Sequence, residues 1–243
     1  MTDVLLLLAL FAAALLYASV GHAGASSYLA IMALSGVAPE IMKPAALALN
    51  VFVAAIATFK FTRAGYFSWT LFWPLAALSI PCAFLGGLLT LPPQFYRPLV
   101  GVILCYCAWL VLRRARNSEW EPIDAPPRWA LAGVGAAIGL LSGLTGVGGG
   151  IFLSPLMLLL RWAPTKVISG IAAAFILVNS LAALAGAAPK LALLPSSFPL
   201  WIIAVCIGGY IGAELGSRRF NLVLIRRLLA LVLLVAGIKM VIS

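Results

Sequence analysis

Charged residues are the scarcest feature of this sequence. Only 9% of its 243 residues are charged, and just six residues are acidic, whereas 64% are hydrophobic. The mean hydropathy of +1.15 lies far above that of a soluble domain. Because backbone polar groups in lipid must be paired internally, we expect an all-α integral membrane protein.

The side chains that most enzyme chemistry needs are equally rare. The chain has one histidine, and Glu214 is the only carboxylate inside an apolar run, where Arg218 predicts an interfacial ion pair. Neither a His-Glu-x-x-His metal motif nor a nucleotide-binding Gly-x4-Gly-Lys-Ser/Thr loop is present. The four cysteines lie in apolar runs, which is typical of packing residues. We therefore expect neither an enzyme nor a cofactor, and an intramembrane enzyme or a scaffold subunit is less favoured than a transporter.

A glycine-rich break interrupts the apolar run of residues 129–160. It extends from Ser142 to Gly150, and each apolar arm beside it is shorter than the roughly 20 residues that cross a bilayer. Each glycine inside a helix is destabilising by about 1 kcal/mol, so three in succession predict an unwound turn between two half-helices. Such a turn is tolerated at membrane depth only where protein or a wet cavity surrounds it.

The same pattern occurs near the start of the chain, with a break from Val20 to Ser27. Superposing Gly21 on Gly146 also places Gly24 on Gly149. Interrupted segments at matching positions of two halves indicate a transporter binding site. We predict an N-terminal repeat (1–112), a cytoplasmic linker (113–128) and a C-terminal repeat (129–243), each repeat holding one broken segment and three transmembrane helices. The helices are predicted at about 39–61, 66–90, 95–112, 164–187, 198–216 and 221–242.

The distribution of basic residues predicts that each broken segment is a hairpin that enters and leaves on one side. In that topology 12 of the 16 basic residues face the side opposite the N-terminus, and four do not: Lys43, Arg97, Lys190 and Lys239. Single crossings would instead give eight on each side, which is no bias at all. The positive-inside rule therefore favours two inverted repeats, with both termini outside the cytoplasm and the hairpins meeting near the midplane. The net charge of +10 then reflects membrane orientation rather than nucleic-acid binding.

The second arm of each hairpin begins at a turn rich in glycine and serine. Helix N-termini offer unpaired N–H groups and a partial positive charge, so two facing ends could bind a small anion without a buried lysine or arginine. The alternative is that the glycines only let helices pack closely. The candidate substrate-binding residues are Gly21, His22, Gly24, Ser26, Ser27, Asn50, Ser142, Thr145, Gly146, Gly148, Gly149, Gly150 and Asn179.

Each polar candidate also has a structural alternative. His22 could titrate near neutral pH and give transport a pH dependence, or it could be a hydrogen-bonded packing residue. Proton coupling of transport stays open, with Glu214 as its less favoured candidate beside the ion pair. The hydroxyl of Thr145 could donate to an oxyanion or to a helix carbonyl. Asn50 and Asn179 could contact the ligand or link helices.

Several motifs resemble the TauE/SafE family of sulfite and sulfonate exporters. They are the run from Gly143 to Pro155 (Gly-Leu-Thr-Gly-Val-Gly-Gly-Gly-Ile-Phe-Leu-Ser-Pro), the segments 28–34 and 43–50, and the segment 84–87 (Phe-Leu-Gly-Gly). The resemblance implies a secondary transporter that moves sulfite, sulfoacetate or related organosulfonates across the bacterial inner membrane by alternating access. An anion channel, or a transporter of a different small organic anion, is the alternative. The expected partners are a small anion and the lipid bilayer; the sequence indicates no particular oligomeric state.

Overall fold

The computed structural model describes residues 3–89, 126–188 and 194–242, together with 102, 105, 106, 108, 109, 112 and 191. In this part of the chain every long element is helical, which confirms the predicted all-α membrane fold. The helices are α1 (Asp3–Ala18), α2 (Ala25–Leu34), α3 (Pro39–Arg63), α4 (Trp69–Leu88), α5 (Arg128–Thr145), α6 (Gly150–Leu159), α7 (Thr165–Gly186), α8 (Phe198–Glu214, continued by a π-helical turn, Leu215–Arg219) and α9 (Leu222–Ile242).

Five helices of the described ranges are long and apolar enough to cross a membrane: α3, α4, α5, α7 and α8 with its π-helical turn. The remaining apolar helices α1, α2 and α6 have 16, 10 and 10 residues, so α2 and α6 cannot cross alone. The helix predicted at about 95–112 and the linker 113–128 lie mostly outside the described residues.

A stripe of small residues joins α5 to α4. Gly135, Gly139 and Gly143 stand one helical turn apart, and a Cβ atom on each would meet the backbone of α4 at successive turns, at Leu75, Ser79 and Ala83. Because both sets of residue numbers rise together, α4 and α5 run parallel. Close backbone approach through small residues is a common way for helices to associate in lipid.

A second stripe joins α8 to α1 in the same manner. A Cβ atom added at each of three glycines would meet the backbone of α1 or of the residue just after it. The pairs are Gly208 with Phe11, Gly212 with Leu15 and Gly216 with Ser19. These two helices therefore also run parallel. In both cases the first arm of one predicted hairpin packs along a long helix of the other predicted repeat.

One end of the bundle, which we call the basic end, is where α3 and α8 finish and α4, α5 and α7 begin. Lys166 at the start of α7 places its Nζ 4.9 Å from the ring centre of Tyr66, in the α3–α4 loop. The predicted ion pair is confirmed, with Arg218 Nε 3.2 Å from Glu214 Oε1. Lys60 Nζ lies 2.7 Å from the other carboxylate oxygen, a contact between distant segments that spacing could not reveal.

The two breaks are shorter than predicted. Helix α5 continues through Thr145, so only residues 146–149 are unwound rather than the whole stretch from Ser142 to Gly150. The first break covers residues 19–24. The prediction was wrong about Ser142 to Thr145, because helical backbone hydrogen bonding continues up to the Gly146 N–H, which donates to Ser142 O at 2.9 Å, and Gly146 is the first left-handed residue.

Candidate functional site

Helices α2 and α6 each begin at a glycine in the left-handed conformation. Gly24 has φ 103° and Gly149 has φ 83°, a region that residues with a Cβ atom rarely adopt. Neither glycine provides a side chain to cap the amides that follow. The first turns of both half-helices therefore offer backbone N–H groups without a side-chain acceptor, as the sequence predicted.

The two breaks meet at a small cavity. The cavity has a volume of only about 10 Å³, which is enough for roughly one water molecule. Nothing much larger than a water molecule fits in this space. The lining comes from the first hairpin, the second break and α7: Tyr17, His22, Ala23, Gly24, Ala25, Ser26, Val147, Ile151 and Ile176.

His22 is the most unusual side chain of this cavity. It is 2% exposed, and neither ring nitrogen has a hydrogen bond of good geometry among the described residues, although the backbones of Val20 and Gly150 lie close to the ring. Leaving one buried polar group unpaired is destabilising by about 1–3 kcal/mol. Native proteins tolerate few such groups, and those that persist call for a functional or solvent explanation.

Asn50 connects α3 to the second break. Its side-chain Nδ2 donates to Val147 O at 3.4 Å and to Ser180 Oγ at 3.5 Å, while its Oδ1 has no partner in the described part of the chain. A Cβ atom on Gly148 would lie 2.8 Å from Asn50 Nδ2. A helix of the first predicted repeat therefore fixes the turn of the second, and it retains one free acceptor.

Two buried serines add further unpaired hydroxyls. Ser142 Oγ and Ser154 Oγ have no hydrogen-bond partner among the residues described. Ser142 lies beside the second break, since its Cβ atom would be 3.2 Å from a Cβ added at Gly149. Ser154 was not predicted, because it stands inside an apolar helix with no pattern to distinguish it from a packing residue.

Several of the predicted substrate-binding residues contact helices and do not line the cavity. Asn179 accepts a hydrogen bond from Ser79 Oγ at 2.6 Å and donates to Phe175 O at 2.8 Å, so it links α4 and α7. This is the structural alternative that the sequence had left open. The close contacts of the predicted glycines are with helices: Gly21 with the Ser169 backbone, Gly146 with Lys43 Cγ and Gly150 with Ile176. Ser27 is half-buried and does not line the cavity.

The tyrosines on either side of the first break were missed. Tyr17 OH shares a hydrogen bond of 2.9 Å with Ser26 Oγ, and Tyr28 OH donates to Ala23 O. Both rings are almost fully buried. Their positions in the sequence could have revealed them, since each lies at the end of an apolar arm nearest the break and carries a polar atom there.

Thr145 has a structural role in this conformation. Its hydroxyl proton is donated to Leu141 O, and its oxygen accepts the Val147 N–H at 3.3 Å. We therefore expect Thr145→Val to destabilise the turn by about 1 kcal/mol rather than to remove a ligand contact. Thr145→Ser, which retains the hydroxyl, is the control. Thermal unfolding of the purified variants measures the difference. Equal stability of Thr145→Val and Thr145→Ser would show that the hydrogen bonds of the Thr145 hydroxyl do not stabilise the turn.

Comparison with known proteins agrees with this architecture. The sequence profile of the family described as "Sulfite exporter TauE/SafE" matches residues 5–240. A relative from Sinorhizobium fredii, named "Probable membrane transporter protein y4hK", is 43% identical over 238 residues, which cover 97% of this chain and 96% of that protein. No solved structure matches the chain. Because the family profile spans both breaks and almost the whole length, the chain belongs to the TauE/SafE family of membrane transporters.

Proposed function

We propose that this protein is a secondary transporter of small sulfur-containing anions, such as sulfite or sulfoacetate, in the bacterial inner membrane. The observation that carries the proposal is the meeting of two glycine-started half-helices at a buried cavity that also holds the unpaired ring of His22. The class of anion is taken from the name of the family.

The cavity suits an anion although no lysine or arginine lines it. A charged side chain near the bilayer centre is destabilising by about 3 kcal/mol on scales derived from membrane insertion. A helix N-terminus supplies about half an elementary charge without that cost, because its dipole belongs to the fold. Two such ends would together balance about one negative charge. Among the proposed substrates this favours the monoanion hydrogensulfite over sulfoacetate, which is a dianion at neutral pH.

Alternating access would follow from two inverted repeats, residues 1–112 and 129–243, joined by the linker 113–128. The parallel pairs α4–α5 and α8–α1 support this arrangement, since each predicted hairpin follows a long helix of the other half. Rocking of one half against the other would then expose the site to each side of the membrane in turn.

The topology itself is testable. We expect single-cysteine labels at Asn117 and Ser243, in a cysteine-free background, to react from opposite sides of the membrane, with Asn117 cytoplasmic. The reason is the 12-to-4 division of basic residues that the hairpin topology produces. Membrane-impermeant maleimide applied to intact cells and to inverted vesicles measures this. Labelling of both positions from the same side would contradict the inverted arrangement.

Transport is tested with purified protein in liposomes. We expect saturable uptake of radiolabelled sulfite and accelerated exchange when unlabelled sulfite is present on the opposite side. Parallel measurements with sulfate, thiosulfate, sulfoacetate and simple carboxylates rank the substrates. Flux that rises without saturation and shows no exchange would support a channel instead, and inactivity with all sulfur anions would overturn the proposed substrate class.

A further inference from the structure

A surface groove lies at the basic end, between the first turns of α4 and α5. It has a volume of about 770 Å³, far larger than the cavity at the breaks. Its lining is mostly apolar and aromatic, with one cation: Trp69, Trp73, Pro74, Ala77, Arg128 and Trp129. None of these residues takes part in the proposed anion site.

The tryptophans of the groove are unusually exposed for residues of their size. Trp69, Trp73 and Trp129 are 58%, 57% and 78% exposed, and the first two stack with ring centres 6.0 Å apart. Tryptophan is enriched where the hydrocarbon core meets the headgroups of a bilayer. The groove therefore lies at the depth where lipid headgroups and the upper parts of their chains are found.

Arg128 supplies the charge of the groove. It is exposed at the start of α5 and makes no ion pair with any residue in the described ranges. Among the described residues at this end, the ion pairs of Glu214 are with Lys60 and Arg218. A guanidinium binds phosphate oxygens in a planar, two-pronged geometry, so an exposed arginine beside an apolar groove complements a phospholipid.

We propose that the groove binds an anionic phospholipid, with an acyl chain along the tryptophans and the headgroup phosphate against Arg128. Positive charge at the membrane surface favours lipids of net negative charge over zwitterionic ones. Arg63, in the last turn of α3 at the same end, adds positive charge there. Since α4 and α5 belong to different predicted repeats, the lipid would bridge the seam at which Gly135 packs against Leu75.

Tryptophan quenching by brominated lipids tests the site. The protein is placed in nanodiscs that contain brominated phosphatidylglycerol or brominated phosphatidylcholine at equal mole fraction in an otherwise unbrominated bilayer. We expect phosphatidylglycerol to quench at about one-fifth of the concentration that phosphatidylcholine requires, the factor typical of one basic residue near an anionic surface. Arg128→Gln should remove this difference, and high salt should reduce it.

Arg219→Gln is the matched control, because Arg219 is also exposed at the basic end but does not line the groove. It should retain the full preference for phosphatidylglycerol. Equal quenching by both lipids in the wild type would overturn the proposal, and so would an equal loss in both variants, which indicates general surface charge. Cross-linking through Trp129→Cys into a dimer in nanodiscs would show that a second copy covers the groove instead. Size-exclusion profiles establish that each variant is folded.

Discussion

Gly149→Val is expected to abolish both anion binding and transport. Gly149 starts α6 with φ 83°, and an added Cβ atom would lie 2.9 Å from Phe175 Cε1 and 3.2 Å from Ile138 Cγ2. A branched side chain fits neither that backbone conformation nor that space. The turn must therefore shift, and the amides of α6 would lose their position at the cavity. Isothermal titration of the purified variant with sulfite measures the loss.

Gly65→Val separates backbone strain from loss of the site. Gly65 has nearly the same φ, 82°, but nothing lies within 4 Å of its would-be Cβ atom. The strain of a left-handed residue amounts to roughly 1–2 kcal/mol, so both variants share that term. We expect Gly65→Val to bind and transport normally. Wild-type affinity in monodisperse Gly149→Val would show that the anion binds elsewhere.

His22→Leu is expected to abolish transport without lowering stability. The ring of His22 is buried and has no hydrogen bond of good geometry among the described residues, so its replacement by an apolar side chain of similar size removes an unsatisfied polar group. Relief of that group should raise the free energy of unfolding by about 1–3 kcal/mol. Such a gain in stability with a loss of function is characteristic of residues retained for activity. Proteoliposome transport and thermal unfolding are measured on the same preparation.

Asn179→Leu provides the opposite result. Asn179 is equally buried, but its amide is paired with Ser79 Oγ and Phe175 O. Its replacement leaves the hydroxyl of Ser79 unpaired and should lower stability by about 1–3 kcal/mol, with little effect on affinity in the folded fraction. If His22→Leu were destabilised like Asn179→Leu and its folded fraction transported normally, His22 would be a packing residue.

The membrane fold and the two breaks could be predicted because composition and glycine spacing are local properties. The break that the sequence placed from Ser142 to Gly150 was correctly located but too long, since helical backbone hydrogen bonding continues through Thr145 and the left-handed glycines begin at Gly146. The ion pair of Glu214 with Arg218 was found because the two residues are one turn apart. Its second partner, Lys60, was missed because it belongs to another helix.

The lining of the cavity was only partly predictable for the same reason. His22, Gly24 and Ser26 line it as expected, and the glycines and polar atoms made them visible in the sequence. Val147, Ile151 and Ile176 complete it, yet they are indistinguishable in composition from the surrounding apolar residues. Nothing in the sequence shows which of the two helix-interior asparagines reaches the break: Asn50 does and Asn179 does not.

The presence of a single histidine allows a direct test of the central claim, that a small anion binds where the two breaks meet. Protein labelled with ¹⁵N only in histidine reports His22 alone. We predict that sulfite shifts the ring nitrogen signals of His22 along a saturable curve, with the same dissociation constant as the thermal stabilisation of the protein. Unchanged His22 signals at sulfite concentrations that stabilise the protein would contradict the account.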